Sequence, residues 1–171
     1  MRRFLLPLLL MLLFVSESIF VELFPFALFG SNHIIVPRFL MVALLFLTAY
    51  GSKKYGIIYG FLFGLLFDIV YTEIIGIYLF LFPLVIYISS KLLKILQTNI
   101  VMVSFVAIIG VMLLELGAYE MNFLIHRTHM DFSSYLSLRL LPTSLLNVIF
   151  IIVASLPLKK HLEKFAIDLD D

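Results

Sequence analysis

Apolar positions run along this chain in six long stretches separated by short polar breaks, at about 4–24, 34–50, 55–71, 74–90, 100–119 and 136–156. Each is close to the roughly 20 residues that a helix needs to cross a hydrocarbon core, the shorter ones near about 17. The breaks hold turn or charge signals: Pro25 with Gly30-Ser31-Asn32, Gly51-Ser52-Lys53-Lys54, Thr72-Glu73, Lys91 to Asn99, and His126 to Ser134. The pattern predicts an all-α integral membrane protein, a single domain over residues 1–171 built as a six-transmembrane-helix bundle. Pro83 and Pro142 fall inside the fourth and sixth stretches, where kinks are expected if neighbours satisfy the freed carbonyls.

Composition agrees with the pattern. Of 171 residues, 63% are hydrophobic and 13% charged, against about 25% charged in an average soluble domain. No separate soluble enzyme domain fits beside six spans. With no cysteine, disulfides, thiolate metal sites and cysteine nucleophiles are excluded.

The net charge of +1 says little, but its distribution orients the chain. Arg2 and Arg3, Lys53 and Lys54, Lys91 and Lys94, and Lys159, Lys160 and Lys164 fall in alternate connections, which the positive-inside rule assigns to the cytoplasm. Both termini are then cytoplasmic. Arg2 and Arg3 before Phe4 to Val15 imitate a secretory signal, but no small-x-small cleavage site follows, so the segment reads as a retained anchor. Tyr50, Tyr55 and Tyr87 fall near the inner boundary and Tyr71, Tyr119 and Tyr135 near the outer one, as interfacial belts do. The acidic end, Asp168 to Asp171, reads as a short solvated tail.

Inside this apolar background two features stand out. Gly56, Gly60 and Gly64 form a ladder at four-residue spacing that ends on Asp68, so a neighbouring helix can approach their backbone closely and lie near the carboxylate. The ladder serves either packing within the bundle or a groove for a partner. The second feature is depth. Asp68 lies about 19 Å up the third span at 1.5 Å per residue, with Glu17 and Glu115 at similar heights and Arg38 and Arg139 entering from the outside. Ionisable groups at such depth cost about 2.5 to 3.5 kcal/mol each unless they pair or face a polar cavity. A polar cluster of Glu17, Arg38, Asp68, Glu115 and Arg139 is expected, either as ion pairs that hold the bundle together or as a site that meets a partner.

Catalytic chemistry has little support. His126, Arg127, His129 and Asp131 make a loose metal constellation, but a short loop rarely fixes three ligands. Ser133 and Ser134 lack an oriented base, and no phosphate loop, dinucleotide fingerprint or zinc-protease motif occurs. No cofactor, metal or nucleic-acid partner is expected.

Pro37-Arg38-Phe39-Leu40 opening the second span, the run Gly60-Phe61-Leu62-Phe63-Gly64-Leu65-Leu66-Phe67-Asp68, and Gly76 in the following turn resemble the MreD family of bacterial rod shape-determining membrane proteins, in the form found in Bacillus-like Gram-positive rods. The resemblance extends over the whole chain in length, in span number and in the basic end of the fourth span at Ser90-Lys91. It implies a non-enzymatic scaffold in the bacterial plasma membrane, within the elongation machinery (elongasome) that directs lateral peptidoglycan synthesis and cell shape. The partners it implies are MreC and, through the complex, MreB, RodA and a transpeptidase. It also implies a fold like the substrate-binding subunits of energy-coupling-factor transporters, which supplies the alternative reading of a vitamin-type transport subunit. Those subunits commonly dock through an alanine-x-x-x-alanine face on the first helix, and Leu5 to Val15 offers no such pair. By the same resemblance the glycines serve close helix packing, Pro37 starts a helix, and Arg38 and Asp68 are candidate buried partners.

Overall fold

The computed structural model describes residues 5–23, 33–72 and 74–170, with side chains to residue 166. Among them all regular structure is helical: α1 (Leu5–Leu23), α2 (Phe39–Phe46), α3 (Lys53–Phe67), α4 (Ile77–Leu96), α5 (Ile100–Leu124), α6 (Phe132–Tyr135) and α7 (Leu141–Asp170). Single π-helical turns, Leu47–Gly51, Asp68–Thr72 and Leu136–Leu140, extend α2 and α3 and join α6 to α7. Arg2, Arg3, the break from Pro25 to Asn32, Glu73 and Asp171 lie outside the described residues.

Among the described residues five helical segments are long and apolar enough to cross a membrane, and the sixth, Phe39–Gly51, is shorter. At 1.5 Å per residue that segment is about 20 Å long, short of a core about 30 Å thick. Its place explains its composition. Every side chain from Leu40 to Leu47 is at most 1% exposed, because α2 with its π turn packs against α1, α3, α4, α5 and α7. A helix apolar on all sides is one that neighbours surround.

The apolar stretch at 34–50 therefore does not become one helix. Residues 33–38 are non-helical, since a proline disfavours the helical region for the residue before it and Pro37 lies at the start of α2. Non-helical backbone at membrane depth is tolerated only where it is buried in protein or lines a water-filled cavity, and the last helix supplies partners for its polar groups. Pro142 has no N–H to give the carbonyl four residues back, and that Leu138 carbonyl accepts the Ile34 N–H at 2.8 Å. Thr143 Oγ1 accepts the Val36 N–H at 3.1 Å. Asn147 Oδ1 accepts the Arg38 N–H at 2.8 Å, and its Nδ2 donates to the Val36 carbonyl at 3.1 Å.

The remaining boundaries shift modestly. The third segment covers Lys53–Thr72, α4 runs on to Leu96, α5 to Leu124, and α6 with the π turn and α7 forms one stretch from Phe132. Because α7 is helical to Asp170, residues Asp168 to Asp170 continue a helix and do not leave it as a tail. The lysines collect at one end: Lys53 and Lys91 both lie over the Tyr87 ring, at 4.7 and 5.4 Å, and Lys159 lies 5.3 Å from the Tyr50 centroid.

Candidate functional site

At the end opposite the lysines, the start of α2 places Arg38 in the centre of the bundle, 2% exposed. Its Nε and Nη2 reach Glu115 Oε1 on α5 at 2.6 and 2.5 Å. Nη2 also donates to the Tyr78 hydroxyl at 2.8 Å. The guanidinium carbon stands 5.2 and 5.0 Å from the ring centroids of Phe67 and Tyr78, a cation-π setting that strengthens as water is excluded. Glu115, fully buried, uses its other oxygen on Arg139 Nε at 2.9 Å, and Arg139 itself is 30% exposed. One carboxylate thus joins two arginines from different elements, and the pair of opposite charges offsets the desolvation that each would suffer alone.

The other two acids do a different job. Asp68, 0% exposed, turns to the first turn of α4, where orphan N–H groups and the positive end of the helix dipole favour an anion. Oδ2 accepts the N–H groups of Gly76 and Leu79 at 2.8 and 2.9 Å, and Oδ1 accepts that of Tyr78 at 2.8 Å. Thr72 Oγ1 adds a longer bond at 3.3 Å. Arg38 and Asp68 are therefore not an ion pair: Arg38 holds Glu115, and Asp68 holds backbone. Glu17, 4% exposed, plays the matching part for α2, with Oε1 accepting the Leu40 N–H at 2.8 Å.

The glycine ladder faces the chain's own helices. A Cβ on Gly64 would run into the Tyr78 carbonyl group, one on Gly60 would lie 2.6 Å from Ile86 Cδ1, and one on Gly56 would meet Thr48 Oγ1. The ladder is filled by α4 and by the turn after α2. Gly76 belongs to another category: its φ of +128° requires glycine, and nothing lies within 4 Å of where a Cβ would be. It is the turn residue that brings its N–H and the start of α4 onto Asp68.

Beside the cluster lies a cavity of about 410 Å³, lined among others by Glu17, Arg38, Arg139, Phe67, Tyr71 and Ile34. A second hollow of about 390 Å³ shares Ile34, Tyr71, Thr72, Tyr78 and Arg139 with it. Among the described residues Glu17 Oε2 and Arg38 Nη1 have no hydrogen-bond partner, nor has the buried Tyr135 hydroxyl. The hydroxyls of Ser18 and Tyr71 bond across the same wall. Outside the membrane segments, Asp131 accepts the Ser134 N–H and hydroxyl at 3.0 and 2.7 Å. These bonds hold its carboxyl below the ordinary carboxylate range and start α6, so Asp131 is engaged locally.

Sequence reasoning passed over Tyr78, Thr143 and Asn147. A lone amide in the apolar run from Leu141 to Leu156 was a usable signal for Asn147. Tyr78 gave none, since tyrosines near span ends are commonplace.

A polytopic helical membrane protein with its buried charges gathered at the end of the bundle opposite its lysines is the class that fold and site define. A family model described as rod shape-determining protein MreD matches residues 2–165, and the chain belongs to the MreD family. The rod shape-determining protein MreD of Bacillus subtilis (strain 168) is 39% identical over 159 residues, 93% of this chain and 92% of that protein. No solved structure matches the chain significantly.

Proposed function

We propose that this protein is a non-enzymatic scaffold of the cell-wall elongation machinery, holding MreC and, through it, MreB, RodA and a transpeptidase during lateral peptidoglycan synthesis. Membership of the MreD family over residues 2–165 carries the reading. The interior supports it too: Arg38 and Arg139 share the Glu115 carboxylate, and Asp68 is spent on a helix start. With Gly60 and Gly64 covered by α4, the helix of a single-span partner docks on another face of the bundle. In the plasma membrane the lysine end is cytoplasmic, both chain termini lie on that side, and the charge cluster sits under the outer surface.

The test is complementation in a rod-shaped bacterium depleted of its own MreD. Restored rods, together with recovery of MreC on a tagged copy of this chain from detergent, are the expected result. Round cells despite normal insertion would remove the reading. The alternative, a substrate-binding subunit of a vitamin-type transporter, draws on the outer cavity, and nanomolar binding of a soluble vitamin by the purified protein would favour it.

A further inference from the structure

We propose that the cavity beside the charge cluster binds a phosphate-and-amine zwitterion of the ethanolamine type, with its phosphate on Arg38 and its ammonium on Glu17. The inference goes beyond the scaffold reading and does not depend on it. Two unpartnered atoms define the ligand. Among the described residues Arg38 Nη1 is a charged donor without an acceptor, and Glu17 Oε2 is an acceptor without a donor, each on a residue at most 4% exposed and lining the same cavity of about 410 Å³. Buried polar atoms are rarely left so, and each costs its full desolvation when unmet.

A molecule that meets both must present an anionic oxygen and an N–H or O–H donor a short distance apart. Charge balance selects the zwitterion. The buried part of the cluster sets Arg38 and Arg139 against Glu115 and Glu17, and the exposed Glu22 adds a third acid to the cavity wall, so a neutral ligand disturbs the balance least, whereas a net anion would add a buried charge without a counterpart. A choline head group has the phosphate but no donor for Glu17.

The same chemistry exists on a membrane lipid and on a soluble phosphodiester. The surroundings favour the lipid. An apolar groove of about 510 Å³, lined by Leu8, Met11, Leu62 and Leu66 among others, follows the α1 and α3 seam toward the lysine end. The cavity is bounded on the same side by Ser18, Val21 and Tyr71 of those two segments. A head group in the cavity would leave its acyl chain along that seam.

The experiment is native mass spectrometry of the full-length protein, delipidated in detergent and then given phosphatidylethanolamine, phosphatidylcholine and phosphatidylglycerol with identical chains. Thermal unfolding is followed in parallel, with soluble glycerophosphoethanolamine as a further arm. The expected result is at least tenfold preferential retention of phosphatidylethanolamine and a matching rise in unfolding temperature. Glu17→Gln, which keeps the Oε1 bond to Leu40, should abolish the preference while the protein still inserts and stays monodisperse. Equal protection by glycerophosphoethanolamine would keep the site and assign it to a soluble ligand. Equal retention of all three lipids, an unchanged preference in Glu17→Gln, or no protection by any probe would overturn the proposal. A chain that restores rod shape yet shows no such preference would fail here while leaving the scaffold reading intact.

Discussion

The Arg38 guanidinium and the Glu115 carboxylate approach to 2.5 Å with side chains 2% and 0% exposed, across 77 positions of sequence. A pair this buried is weak evidence of net stability, because desolvation consumes much of the attraction, but it is a strong constraint on what may be removed singly.

Arg38→Ala should therefore cost about 3–5 kcal/mol, the range for breaking a buried pair from one side. The double variant with Glu115→Ala should lose less than the sum of the two single changes, with a coupling of about 1–3 kcal/mol, and Arg38 with Asp68 should be close to additive. Unfolding of the purified protein in detergent measures both cycles. Additivity in the first would dissolve the pair.

The glycine positions should rank by what each added methyl meets. Gly64→Ala faces the backbone carbonyl of Tyr78, which cannot step aside, so a loss of about 1–3 kcal/mol is expected. Gly60→Ala meets the end of the Ile86 side chain, which can change rotamer, and should lose less. Gly76→Ala has open space but a φ of +128°, and should cost about 1–3 kcal/mol through backbone strain. Double leucine replacement at Gly60 and Gly64 should impair folding itself. Intact folding with selective loss of MreC in that variant would contradict the packing seen here.

Asp68→Ala removes the acceptor of three backbone N–H groups at the start of α4. A cap is worth about 0.5–2 kcal/mol, and three charge-assisted bonds place this one at the upper end. Hydrogen exchange at residues 76–79 should accelerate well beyond the change elsewhere. Asp68→Asn, with one carbonyl oxygen in place of two, should fall between. Uniform acceleration over the whole chain would show that the cap has no local role.

Asn147→Leu should release the non-helical segment before α2, since both its Oδ1 and Nδ2 are committed there. The absence of native cysteine gives a clean readout: a single cysteine at Ile35 should react with a membrane-impermeant maleimide several-fold faster in the Asn147→Leu background. Thr143→Val, which loses the bond from Val36 and a longer one of 3.4 Å to the Ile34 carbonyl, should produce a smaller increase. Equal labelling in all three backgrounds would show that the segment is held by other means.

Spacing made the glycine ladder and its terminal acid legible, because both are local properties of one helix. Partner choice was not legible. Whether Arg38 meets Asp68 or Glu115 depends on the rotation of α3, α4 and α5 about their axes, and the deciding contact is the start of α4, which claims Asp68 through backbone groups that carry no sequence signature. The second span was over-read for a similar reason. Ile34, Ile35 and Val36 are as apolar as any helical stretch, and what holds them outside a helix is a carbonyl freed by Pro142 and an amide at Asn147, more than a hundred residues downstream. The six-segment layout survives that change because hydrophobic length reports burial in lipid or protein alike.

The short central helix imposes an order of construction. A ribosome releases its lead-in long before it makes the threonine and asparagine that satisfy that lead-in, so a nascent chain halted before α7 would leave bare amides facing hydrocarbon. Biogenesis of this protein must finish at its C-terminal helix, and an insertase that shelters the unfinished middle until then would meet a need written into the bundle.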